Sequence, residues 1–200
     1  MDKGIRLYLG IIIVAVFWLT TVVCGFVHGT YNHFSMLVSE LGAIGTKSQY
    51  VFSAGLIVCS VLSVIFIIEL CRICRKKRMS IIPVLLILLY SISILGVAIF
   101  PLPHRFHLMA GSPSFFLVFS PVLAMILWRK KLSSIIPFSI LCMLIMLLGV
   151  LTFFPEIMSN FTGLKQRFFH TGYSLWFIYL SYAFVRLSKN NSPQISIGKN

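Results

Sequence analysis

The side chains in this sequence that could bind or react gather in a few short polar stretches. Residues 100–113, between two long apolar runs, hold Pro101, Pro103, His104, Arg105, His107 and Pro113. A second stretch carries Arg167 and His170, and a third carries Glu40 within Ser39-Glu40-Leu41-Gly42. His104 and His107 are three residues apart, which predicts that both lie on one side of a helix. Together with His170 they would offer three imidazole nitrogens to a zinc ion and leave a fourth position for water, with Glu40 or Glu156 as base. Arg105 and Arg167 point to another chemistry. An arginine at a helix N-terminus, where free N–H groups already favour negative charge, suits a lipid head group or other anion.

Composition decides what solvent these groups meet. The chain has 200 residues, 58% hydrophobic and 10% charged, with mean hydropathy +0.98. A soluble domain cannot hide that much apolar surface, so lipid must solvate most of it. The net charge is +13, from 17 Lys+Arg against four acids. The basic residues sit in short gaps between apolar runs, without a basic face of interleaved aromatics. That excludes nucleic acid as a partner and indicates membrane lipids. The five cysteines lie within or beside apolar runs, which is not the pattern of a secreted disulfide framework. Cys71-x-x-Cys74 has neither a second ligand pair nor a βαβ context and reads as small residues at a helix end.

Six apolar segments predict an all-α, polytopic membrane protein with transmembrane helices near 7–27, 50–70, 81–100, 106–128, 134–154 and 168–187, followed by a polar tail at 188–200. Lys3, Arg6, the basic residues between 72 and 78, those at 129–131, Arg186 and those of the tail fall on one side. Only Lys47, Arg105, Lys165 and Arg167 fall on the other. The positive-inside rule then puts both termini in the cytoplasm and makes the chain three hairpins with outward-facing connections. The visibly apolar part of the fourth segment, 115–128, makes only about 21 Å of helix against a hydrocarbon core of about 30 Å. Helix 4 is therefore expected to begin near His104 to His107, after a turn over 101–103, and helix 6 near Arg167 to His170. This brings Glu40, His104, His107, Arg167 and His170 to the outer end of one bundle. Ionisable groups there are costly unless paired or facing a watery cavity, so an Arg167–Glu40 pair, or a His–Glu pair, is expected.

The spacing of His104, His107 and Gly111 recurs in Arg167, His170 and Ser174, and both sets follow a Phe-Pro pair, Phe100-Pro101 and Phe154-Pro155. This predicts a duplicated hairpin. Ser39-Glu40-Leu41-Gly42, Gly55-Leu56, Phe100-Pro101 with His107, and Arg167 with Trp176 resemble, in order and spacing, the prokaryotic membrane proteins of domain-of-unknown-function family 998. The resemblance covers nearly the whole chain and implies a six-helix integral protein of the cytoplasmic membrane, with no established activity. The chain departs from the expected pattern at Gln166, where an acid would precede Arg167.

These observations support an outer-face pocket that binds a lipid head group or other anion, in a protein that is not an enzyme. A zinc-dependent lipid hydrolase built on His104, His107 and His170 is the catalytic alternative. A small transporter, suggested by the internal repeat, is another. Polar residues at helix ends that merely reach for interfacial water are the plainest reading.

Overall fold

The computed structural model describes residues 6–189. The tail from 190 onward, and Lys3, lie outside the described residues. Among those described, the regular structure is entirely helical. Six long helices follow one another: α1 (Leu9–His28), α2 (Gln49–Lys76), α3 (Ile82–Ile99), α4 (His107–Trp128), α5 (Ile135–Phe153) and α6 (Thr162–Lys189). Helices α1 to α5 are long and apolar enough to cross a membrane. Helix α6 has 28 residues, about 42 Å at 1.5 Å per residue. It is more polar because its side chains face protein: Phe169, Tyr173, Trp176, Phe177 and Phe184 are all buried.

Each helix packs on its predecessor, and α6 closes back on α1, so the six form a ring. The close contacts show antiparallel neighbours. Ser60 Oγ on α2 donates to Ser91 O on α3, and Ser120 Oγ on α4 donates to Pro83 O near the start of α3. Glycines permit the closest approaches. A Cβ on Gly10 would lie 2.7 Å from Phe177 O, and one on Gly149 would lie 2.6 Å from Phe169 N, so α1 and α5 both seat against the α6 backbone. Tyr90, Tyr173, Phe169, Phe177, Phe17 and Phe66 fill the middle of the ring with edge-on and tilted ring contacts.

One end of the ring carries Glu69, which pairs with Arg72 at 3.1 Å and Arg6 at 3.9 Å. Trp128 Nε1 donates to Ser80 O at the same end. The opposite end carries the Phe-Pro turns and the α1–α2 connection. Helix α4 begins at the C-terminal end of the expected His104–His107 range. His104 N–H closes a turn onto Pro101 O, His107 N–H closes the next onto His104 O, and the helix starts only at His107. Pro101 and Pro103 impose this, since neither can donate and each restricts the residue before it. Further on, Ser112–Val118 winds as a 3-10 stretch, because Pro113 cannot donate to a preceding carbonyl. Ser93 Oγ on α3 donates to the Ala110 and Gly111 carbonyls beside this break.

Candidate functional site

The end of the ring opposite Glu69 encloses a cavity of about 350 Å³, and all six helices line it. Phe17, Phe52, Leu56, Tyr90, Ile94, Val97 and Phe115 make most of its wall. Leu37, Val38 and Ser39 of the α1–α2 connection cover it from one side. Its polar lining is uncharged: His107, His170, Gln166, Thr152, Ser39, Ser112 and Ser114. Leu108 and Phe153 line it as well, yet are 70% and 46% exposed, so the cavity meets the ring's surface at the start of α4 and the end of α5.

Of the expected cluster, the structure brings His107 and His170 to this cavity and leaves Glu40, His104 and Arg167 off its wall. His107 is only 8% exposed, and its Nδ1 lies 2.8 Å from Phe100 O. A carbonyl can only accept, so Nδ1 carries the proton and Nε2 keeps the lone pair. His170 sits two turns into α6, in ring contact with Phe17 and Tyr173, and neither of its shielded nitrogens has a hydrogen-bond partner. Thr152 Oγ1 is likewise shielded and unpartnered. His104 packs on Phe100 and Phe106 and accepts the Phe106 N–H, away from the other two. The histidines are thus not on one helix face: His104 belongs to the turn, His107 opens α4, and His170 lies within α6. Among the described residues, no three His, Cys, Asp or Glu side chains gather as a metal site, so the expected zinc set of His104, His107 and His170 is not assembled. No hydrogen bond joins a serine hydroxyl to either cavity imidazole among the described residues.

Arg167 does not pair with Glu40. Its Nη1 donates to Gly163 O at 3.0 Å and Met36 O at 3.3 Å. Its Nη2 lies 2.7 Å from Tyr31 Oη and 3.0 Å from His33 Nδ1. The guanidinium therefore clamps the α1–α2 connection to α6, and Tyr31 Oη in turn donates to Met36 and Leu37 carbonyls. Gln166 adds a second tie, accepting Val38 N–H at 2.6 Å. Glu40 closes its own turn, accepting Leu37 N–H at 3.2 Å. Burial, and then the Arg167 charge, hold the His33 imidazole below its ordinary pKa. Burial pushes the Tyr31 phenol up despite Arg167 beside it.

The residue that sequence reasoning passed over is Lys165, which is wholly buried. Its Nζ donates to Phe154 O at 3.0 Å and Ile157 O at 2.7 Å. The Phe-Pro repeat was its signal. Phe100 and Phe154 adopt nearly the same backbone, φ −116°, ψ 71° and φ −115°, ψ 87°. The carbonyl of each accepts a side chain from the following helix, His107 in one hairpin and Lys165 in the other, and Phe154 O also accepts the Ile157 N–H. The two Phe-Pro turns thus share a backbone conformation and a side-chain tie. The matched spacing of His104 and Arg167 does not lead to matched positions.

The profile of the family described as "Protein of unknown function (DUF998)" matches residues 11–183. No curated protein and no solved structure matches the chain.

Proposed function

We propose for this chain, which belongs to the DUF998 family of proteins of unknown function, a non-catalytic role: binding an amphipathic lipid at the outer end of a six-span bundle. Both termini would lie in the cytoplasm, with the protein in a prokaryotic cytoplasmic membrane. The observation that carries this reading is the cavity of about 350 Å³, apolar over most of its wall, with a few neutral polar groups. That volume and that mixture are those of a small-ligand site. Its contact with the ring's surface at Leu108 and Phe153 favours a ligand that arrives from the bilayer. The basic residues at the opposite end support the orientation.

Native mass spectrometry of the delipidated protein, titrated with membrane lipids, tests the reading. Wild type should hold one lipid, and Ser114→Phe, which places a ring in the cavity, should lose it while remaining folded. Equal retention by both would remove the cavity as the site. Orientation is tested with a cysteine-free background: an impermeant maleimide should label Ser35→Cys in intact cells and Ser188→Cys only after permeabilisation.

A small transporter is the second reading. It draws on the irregular turn of α4 over Ser112–Val118 beside the cavity, since broken helices line transport sites.

A further inference from the structure

The lining of the cavity carries information about the head group of its occupant. No Lys, Arg, Asp or Glu borders it. The Arg167 guanidinium, one turn before His170, has both terminal nitrogens committed to Gly163, Met36, Tyr31 and His33. The Lys165 ammonium is turned to two backbone carbonyls. An anion in the cavity would therefore lose its water without gaining a cation, which is costly. The hydrogen-bonding groups make the same distinction. His107 donates through Nδ1 to Phe100, so the polar atom it has left is the lone pair on Nε2, and that atom asks for a donor. An ionised phosphate ester adds charged acceptor oxygens with no cation here to meet them. A hydroxyl offers both a donor and an acceptor. His170 and Thr152 border the same space with side-chain polar atoms that have no partner, a condition that buried groups in folded proteins rarely keep. Neutral groups of this kind are satisfied by ligand O–H groups, directly or through a shared water.

We infer that the cavity takes a single-chain lipid with an uncharged, hydroxyl-bearing head, of the monoacylglycerol class, and discriminates against the phosphorylated counterpart. The inference rests on the lipid-binding reading above. The glycerol hydroxyls lie among His107, His170 and Thr152, and the acyl chain leaves past Leu108 and Phe153 toward the bilayer.

The test compares two lipids that differ by one phosphate, monooleoylglycerol and 1-oleoyl-lysophosphatidate. Each is titrated into the full-length, delipidated protein in neutral detergent at low and high salt, with bound lipid read by native mass spectrometry. Monooleoylglycerol should bind about tenfold more tightly or better, with no dependence on salt, because no ion pair is formed. His170→Leu and Thr152→Val should each weaken it several-fold; the wild-type comparison stands whether or not these variants fold. Lysophosphatidate binding as tightly or more tightly would overturn the head-group inference and leave lipid binding intact. If neither lipid binds, the head-group inference is overturned, and the titration with membrane lipids against Ser114→Phe decides the lipid-binding reading separately.

Discussion

The imidazole of His107 is fixed by a residue seven positions behind it: Nδ1 lies 2.8 Å from the carbonyl oxygen of Phe100. The Phe-Pro turn leaves that carbonyl without a helical partner, and His107, as the first residue of α4, supplies one. The bond also sets the tautomer, so a turn requirement determines which nitrogen is left to hydrogen-bond a ligand.

Replacing His107 by Leu should leave the Phe100 carbonyl buried and unpaired. The expected loss is about 1–3 kcal/mol of stability, the usual cost of such an orphan. His107→Asn, which keeps a donor near the Nδ1 position, should recover part of it. Thermal unfolding in detergent reads both, and equal stability of Leu and Asn variants would show that the bond contributes nothing.

Lys165→Met removes two charge-assisted bonds, to Phe154 and Ile157, while keeping most of the buried volume. A loss of about 1.5–3 kcal/mol is expected, with faster hydrogen exchange confined to 154–161. Lys165→Arg should not rescue it, because the site has no room for a guanidinium: the side chain is 0% exposed.

Acid should loosen the cover of the cavity. His33 Nδ1 accepts from Arg167 only while the imidazole is neutral, and its pKa is depressed, so the neutral form is the one the fold favours. The sign follows from linkage. This contribution is fully present above the ordinary value of 6.5 and is lost as pH falls through the lower folded value. Protection factors over 31–39, taken relative to the base-catalysed intrinsic rate, should fall between pH 7 and 5 in wild type, and the fall should be absent in His33→Gln. An unchanged profile in wild type would remove His33 from the clamp.

Glu40 and Arg167 should behave independently. Since each bonds backbone or neutral groups, a double-mutant cycle of Glu40→Gln and Arg167→Gln should give a coupling within about 0.5 kcal/mol of zero. Arg167→Gln alone should raise exchange over 31–37, because it releases the clamp on Tyr31 and Met36. A large favourable coupling would restore the ion pair that their types suggest.

What the sequence determined by itself is what solvent and chain geometry dictate. Apolar runs of about twenty residues must be helices when lipid surrounds them, because every backbone group needs a partner within its own segment. The two Phe-Pro pairs had to be turns for an equally local reason: proline cannot donate. The tertiary structure decided where each side chain's hydrogen bonds go. His104 and His107 look equivalent by spacing, yet the turn bonds at Pro101 and His104 keep one out of the helix and admit the other to the cavity. Arg167 and Glu40 look like partners by charge. The carbonyl of Met36, held by the α1–α2 connection more than a hundred residues away, and that of Gly163, one turn back on α6, offered the guanidinium a better-placed set of acceptors. Lys165 reads as an outer basic residue and is buried, because only packing α6 against the end of α5 brings the Phe154 and Ile157 carbonyls to its ammonium. Met36 is distant from Arg167 in sequence, and the nearer partners come within reach only once the turns and helix ends are packed, so no spacing rule contains these choices.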